Sequence, residues 1–415
     1  MSPWINQTNA GEAFANLRQR NQFATLTSLG LVALIGWFGR RGQTKRVSYW
    51  AYVPVVLMAL GNAASGSRTG LLQWAAVLLL TAWWAPPKRW HLAAIALWGT
   101  LAYVVAALLL PSMLELFTGE SNGGVFGRLI ETSECGGRRV LWSNVLDLIA
   151  HKPWFGWGWG ELDYAHYMTL YPGARFCEIL DNAHNLPLHL AVELGIPLAL
   201  AVCGGSAWVV WRAKPWRETD STRQMAWGVL AVIMLHSMLE YPLWYGPFQM
   251  AFGLCVWMLW PAPRAPVAGS RPYARGVAAI QLVVATALLA AVAYAAWDYH
   301  RVSQIYLAPQ ARDPAYRDDT LDKVRGSWLF RNQVRFAELT TTALNRGNAQ
   351  WTFDTAMALL HYSPEPRVIE KVIESAVMLG RDDEALLHLV RYRAAFPDDY
   401  TKWRHANGLT GGPAD

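Results

Sequence analysis

Eight apolar stretches, each at or near the length a helix needs to cross a bilayer, constrain this chain more than any other feature. They run over residues 22 to 39, 48 to 64, 70 to 85, 91 to 114, 186 to 211, 224 to 241, 243 to 261 and 276 to 297. A crossing takes about 20 mostly apolar residues, and hydrocarbon forces the backbone to bond to itself. The pattern predicts an all-α, polytopic membrane helix bundle of about eight spans. Composition agrees. Of 415 residues 53% are hydrophobic and 16% charged, and 23 are Trp, which does not suit a domain whose whole surface meets water.

A net charge of +6 would fit a nucleic-acid partner, but the cations sit in short clusters between apolar runs. One set of loops holds Arg40, Arg41, Lys45 and Arg46; then Lys88 and Arg89; then Arg212, Lys214, Arg217 and Arg223; then Arg264, Arg271 and Arg275. The alternate short loops hold only Arg68. Such alternation orients a membrane protein, so the first set is expected in the cytoplasm and no nucleic acid is expected as a partner. Residues 1 to 21 are then an external N-terminal segment, 22 to 114 carry spans one to four, and 115 to 185 form a large external loop. Residues 186 to 297 carry spans five to eight, and 298 to 415 form an external helical domain. An external start without a leader peptide also leads us to expect that an odd number of preceding spans is missing, the alternative being an N-tail protein.

The tail changes character, with charges of both signs and helical spacing. Residues 368 to 400 read as two amphipathic helices joined at Gly380 and stopped at Pro397, similar to half a tetratricopeptide hairpin. Of the four cysteines, Cys203 and Cys255 lie inside apolar runs and read as packing residues. Cys135 and Cys177 share the large loop, where an oxidising compartment would permit a disulfide. No CxxC pair is present, so no zinc or redox motif is expected.

The chemistry-bearing side chains gather around that loop. Asn185 suits a helix N-cap and Pro187 a first turn, which places His184 of DNAHN at the mouth of the fifth span. A histidine there is either a general base or a capping and anchoring residue. Arg138 and Arg139 precede an amphipathic stretch over Val140 to Ile149 and suit phosphate oxygens or lipid headgroups. Arg68, in SGSRTG, has no part in setting topology and reads as a ligand-binding cation or a snorkelling one. Glu193 and Glu240 lie at depths where ionisable groups face the bundle interior, with His189 and His236 nearby, and each reads as the neutraliser of a buried arginine. Trp157 and Trp159 of GWGWGE can stack on sugars or anchor at the interface.

Together NLRQRNQFAT (16 to 25), SGSRTG (65 to 70), RRVLWSNVLDLIAHKPWFGWGWGE (138 to 161), DNAHNLPLHLAVELGIP (181 to 197) and LEYPLWYGPF (239 to 248) resemble the O-antigen ligase and polymerase superfamily of bacterial inner membranes. Within it they look most like the pilin-type protein O-oligosaccharyltransferases. The resemblance implies a multi-pass inner-membrane glycosyltransferase, its active site facing the periplasm. It would move a glycan from an undecaprenyl-diphosphate carrier to a Ser or Thr hydroxyl of a pilin-like protein, with no metal and no cofactor. The alternative acceptors are lipid A-core, for an O-antigen ligase, or another lipid-linked glycan, for a polymerase. On this reading Arg68 with Arg138 or Arg139 holds the diphosphate and His184 takes the acceptor proton. Asp181, Asn182 and Asn185 orient the imidazole or touch sugar hydroxyls, with Trp157, Trp159 and Glu240 also lining the substrate. Family members carry further spans ahead of the segment matching residues 11 to 25, in line with the expectation from charge.

Overall fold

The structure is a computed structural model that describes residues 13–40, 52–85, 90–119, 136–260 and 271–408. Among these residues every regular element is helical. The helices are α1 (Arg20–Arg40), α2 (Tyr52–Ala64), α3 (Arg68–Trp84), α4 (Trp90–Thr118), α5 (Arg138–His151), α6 (Leu162–Met168), α7 (Leu186–Leu194), α8 (Ile196–Ala213) and α9 (Ser221–Ser237). They continue as α10 (Gly246–Leu259), α11 (Arg271–Ser303), α12 (Thr320–Val324), α13 (Arg331–Thr341), α14 (Ala349–Leu359), α15 (Pro366–Met378), α16 (Asp382–Ala395) and α17 (Pro397–Ala406). Among the described residues four segments are long and apolar enough to cross a membrane: Arg20–Arg40, His91–Thr118, Ile196–Arg217 and Gly276–Tyr306. This is a membrane protein, and among the described residues the expected eight crossings meet that standard in four places, because α2 and α10 are apolar but short and α3 and α9 run 17 residues each.

The chain divides into two compact units, one of Met1–Gly156 with Asn182–Pro261, the other of Trp157–Asp181 with Ala262–Asp415. In the first, α1 to α4, α9 and α10 enclose a core in which Trp74 stacks on Tyr103 at 5.6 Å beside Leu31, Val55, Ile95, Ile233 and Phe248. Lipid tails are as apolar as leucine, so helices in a membrane gain from close contact and from shared polar groups. Both devices appear. A Cβ on Gly36 would stand 2.6 Å from Met225, and one on Gly228 would stand 2.9 Å from Val32, so α1 and α9 meet nearly backbone to backbone. The inner face of α1 carries Gln22, Thr25 and Ser28, all fully buried. Ser28 donates to Gln73 at 3.1 Å, Gln73 to Thr25 at 2.8 Å, and Thr25 meets Nδ1 of His236 at 2.7 Å.

The fifth apolar stretch, expected as one span over 186 to 211, is two helices broken at Gly195, whose φ is +86°. The Ile196 N–H leaves the helical ladder and donates to the Pro153 carbonyl at 2.8 Å. A Cβ on Gly195 would collide with the Trp154 carbonyl, and one on Gly156 (φ +67°) with the Glu193 carbonyl. Two glycines thus let the 153–156 backbone press into the helix break, a contact that hydropathy does not register.

In the second unit α14, α15 and α16 pack in succession around Phe353, Ile369, Val372, Ile373 and Tyr392. As the spacing predicts, α15 and α16 are joined through Gly380 (φ +70°), and the Arg381 N–H reaches back to the Ala376 carbonyl at 2.9 Å. Pro397 ends α16 and opens α17. Tyr167 of α6, from the large loop, is part of this same core, and its hydroxyl meets Nδ1 of His388 at 2.9 Å. Burial pushes His388 down to about 4. Glu161 meets Nδ1 of His361 at 2.6 Å, and Tyr164 stacks on that ring at 3.8 Å. Residues 157 to 181 therefore fold with the tail, and the large loop is shared between units. Cys177 is disulfide-bonded, Cys203 and Cys255 carry free thiols, and Cys135 lies outside the described residues.

Candidate active site

The DNAHN segment forms a tight turn fixed by its own amides. Asn182 accepts the His184 N–H on Oδ1 at 2.9 Å, and His184 sits in the left-handed region at φ +50°. A non-glycine residue pays on the order of 1 kcal/mol for that conformation, and such strain persists only where its surroundings enforce it. Here the enforcement is visible. Trp142 of α5 donates its indole N–H to the Ala183 carbonyl at 3.0 Å. Asn185 caps α7 by accepting the Leu188 N–H at 3.1 Å, with Pro187 in the first turn, and its Nδ2 donates to the Met238 carbonyl at 3.0 Å.

That last bond ties the turn to the corner after α9, where Glu240 is 7% exposed. Three side chains converge on its carboxylate. Arg138 Nη2 stands 2.6 Å from Oε1, Asn21 Nδ2 donates to Oε1 at 3.1 Å, and His184 Nδ1 lies 2.7 Å from Oε2. The histidine contact is not aligned as a straight hydrogen bond. A carboxylate offers only lone pairs, so the imidazole proton belongs on Nδ1, which leaves Nε2 able to accept a proton. Tyr241 meets the ring edge-on at 5.0 Å. The His184 side chain is 27% exposed, enough for an acceptor to reach it.

Arg68 is the first residue of α3, not a loop residue, and it is exposed. Ser67 caps that helix by accepting the Gly70 N–H at 3.1 Å, and its hydroxyl donates to Asn21 Oδ1 at 2.6 Å. Arg138 and Arg139 likewise open α5, Arg138 turned to Glu240 and Arg139 exposed. Helix N-termini favour anions, so each arginine stands at a place already suited to phosphate. Glu193 is fully buried on α7 with His189 Nε2 at 3.4 Å, a pair separate from the His184 and Glu240 contact. Asp181, Trp157 and Trp159 belong to the second unit. There Asp181 and Glu161 add to the burial that pushes Asp163 up to about 7.

Asn21 and Ser67 escaped the sequence reading although both lie inside the motifs NLRQRNQFAT and SGSRTG. The available signal is a short polar residue at the head of an apolar span. Among the described residues no group of three His, Cys, Asp or Glu is placed to share a metal ion.

Three family descriptions match in chain order: a protein glycosylation ligase over residues 13–38, an O-antigen ligase over 53–203, and the C-terminal part of a virulence factor membrane-bound polymerase over 224–408. Asn21 falls in the first, Arg68, Arg138 and His184 in the second, and Glu240 in the third. A general O-oligosaccharyltransferase of Acinetobacter baylyi is 26% identical over 268 residues, covering 62% of this chain and 45% of that protein. A ComP-specific O-oligosaccharyltransferase of the same organism is 26% identical over 254 residues, covering 59% and 43%. The chain spans less than half the length of these curated relatives. No solved structure matches it significantly. With a glycosylation-ligase segment, an O-antigen ligase segment and a polymerase segment laid end to end, and these relatives alongside, the chain is similar to the O-antigen ligase and polymerase superfamily on its protein O-oligosaccharyltransferase side.

Proposed function

We propose that this chain transfers a glycan from an undecaprenyl-diphosphate carrier to a Ser or Thr hydroxyl of a periplasmic, pilin-like protein. The reading rests on one observation above the others: a buried carboxylate, Glu240, holds both His184 and Arg138, with further arginines at the first turns of α3 and α5. The acceptor oxygen attacks the anomeric carbon, the bond from that carbon to the diphosphate oxygen breaks, and the acceptor proton passes to Nε2 of His184. Arg68 and Arg139 stabilise the charge that grows on the departing diphosphate, while Arg138 chiefly balances Glu240. A donor that brings its own leaving group needs no nucleotide. Asn182 and Asn185 set the His184 turn, and Asp181, Trp157 and Trp159 contact sugar.

The positive-inside pattern supports eight crossings of a bacterial inner membrane, the site facing the periplasm, and a tetratricopeptide-like tail on that same side. The ligase and polymerase descriptions support a second reading, with lipid A-core or another lipid-linked glycan as acceptor. Expression in cells that make a lipid-linked glycan and a pilin-like protein separates the two. A mass gain on the protein supports the first reading, and lipopolysaccharide that gains O-antigen while the protein stays bare replaces it with the second.

A further inference from the structure

The amide of Asn21 is held at both ends, and the chemistry of its partners fixes which end is which. The Glu240 carboxylate only accepts, so Asn21 Oδ1 lies on the other side and accepts the Ser67 hydroxyl at 2.6 Å, while Ser67 Oγ accepts the Gly70 N–H. Asn21 Nδ2 is thereby turned to Glu240 Oε1 at 3.1 Å. The opposite orientation would set an amide oxygen against a carboxylate. Ser67 is 1% exposed and Glu240 is 7% exposed, so water does not readily replace either bond. The charged and titratable groups around Glu240 are Arg138, His184 and His236, and Arg68 follows Ser67 directly. Of these Arg138 and His184 touch the carboxylate, and neither reaches it from α1 or α3.

Resting on the transfer reading above, we infer that Asn21 is a positioning residue: its amide links the α3 N-terminus, where Arg68 stands, to Glu240, and through Glu240 it sets the ring of His184. Arg138 holds Oε1 from the α5 side alone. Asn21 donates to the same oxygen from α1, so Oε1 is fixed from two sides and Oε2 stays in front of His184 Nδ1. The same amide makes the helix that presents Arg68 and the corner that presents Glu240 one assembly.

The test uses the full chain in detergent and follows carbethoxylation of His184 by diethyl pyrocarbonate, read from the mass of its peptide, in wild type, Asn21→Ala, Glu240→Gln and the double variant. If Asn21 acts through Glu240, Asn21→Ala moves the His184 rate most of the way to that of Glu240→Gln, and the double variant matches Glu240→Gln alone. Asn21→Asp keeps the size while setting a second carboxylate against Glu240. It moves the rate in the same sense and serves as the reporter should Asn21→Ala fail to fold. In the transfer assay Asn21→Ala lowers kcat about ten- to hundred-fold with KM for the lipid-linked donor within about two-fold. An unchanged His184 rate in both Asn21 variants, or losses that add independently in the double variant, overturns the inference. A wild type that transfers no glycan to any acceptor sinks the functional reading, while the reactivity measurement still decides the role of Asn21.

Discussion

Replacing Glu240 with Gln keeps the side chain's shape and removes the charge on which Arg138, Asn21 and His184 converge. Two costs follow, and they are separable. Arg138 loses a carboxylate at 2.6 Å. Stripping one partner from a fully buried ion pair costs about 3 to 5 kcal/mol, but the Arg138 side chain is 33% exposed and regains water, so about 1 to 3 kcal/mol of stability is the expected loss. The effect on turnover is larger. A Gln amide can turn its NH2 toward His184, which draws the imidazole proton to Nε2 and removes the base. An analogous carboxylate-to-amide change behind the catalytic histidine of a serine protease costs about 10⁴ in kcat, so roughly 10² to 10⁴ is expected here. KM for the lipid-linked donor should change little, since Arg68 and Arg139 remain. The assay is glycan transfer to purified acceptor in detergent, with thermal unfolding measured alongside. A Glu240→Gln protein that keeps kcat within about three-fold of wild type would refute the assignment of His184 as a base oriented by this carboxylate.

Gly195→Ala should destabilise the first unit by several kcal/mol, since the residue adopts φ +86° and its Cβ would meet the Trp154 carbonyl; loss of folded protein by size-exclusion checks it. Tyr167→Phe removes the hydroxyl that meets His388 and should cost about 1 to 2 kcal/mol, whereas Tyr167→Ala also empties core volume and should cost about 3 to 5; hydrogen exchange of α16 amides reports both. The second unit should weaken on acidification. His388 and His166 are held down by burial, to about 4 and about 3, so below the ordinary value of 6.5 the unfolded chain binds protons that the folded chain refuses. Stability then falls as pH drops from about 6.5 toward 4, by about 2 to 3 kcal/mol for each histidine. Asp163, pushed up to about 7 by burial, works in the opposite sense, because its folded carboxyl keeps a proton the unfolded one loses, and it offsets part of that fall. His388→Gln should flatten the slope measured by the same exchange experiment.

What the sequence discloses and what it hides follow from how far each cause reaches. The cap at Asn185, the Pro187 first turn and the Gly380 joint are decided by residues within four positions of one another, and all are where local chemistry puts them. The helix break at Gly195 is different. Residues 186 to 211 are apolar throughout, and a hydropathy window has no means of knowing that the backbone of residues 153 to 156 will press against the helix there. The glycines of GWGWG and of ELGIP are each legible as permissive positions. Their meeting across 39 positions, Gly156 against Glu193 and Gly195 against Trp154, is a tertiary fact.

The candidate site divides along the same line. His184 announces itself because a polar turn at the head of an apolar helix is unusual, and the arginines because they stand apart from the topology-setting clusters. Glu240 could be read as the neutraliser of a buried arginine but not matched to one, for its partners lie 102, 56 and 219 positions away in Arg138, His184 and Asn21. Membrane-embedded polar residues narrow this kind of ambiguity more than surface ones do. In hydrocarbon an amide or carboxylate must find a protein partner, so every polar side chain inside an apolar run poses a pairing problem with few answers. On α1 the polar positions recur at 22, 25 and 28, one face of the helix, and Thr25 does meet His236 from α9, far along the chain. Asn21 continues that series one residue earlier at the helix head, where the series passes from packing into the site. The polar face of α1 and the Glu240 corner are therefore one structural requirement: the membrane forces the first to seek partners, and the last of those partners is the carboxylate that meets His184.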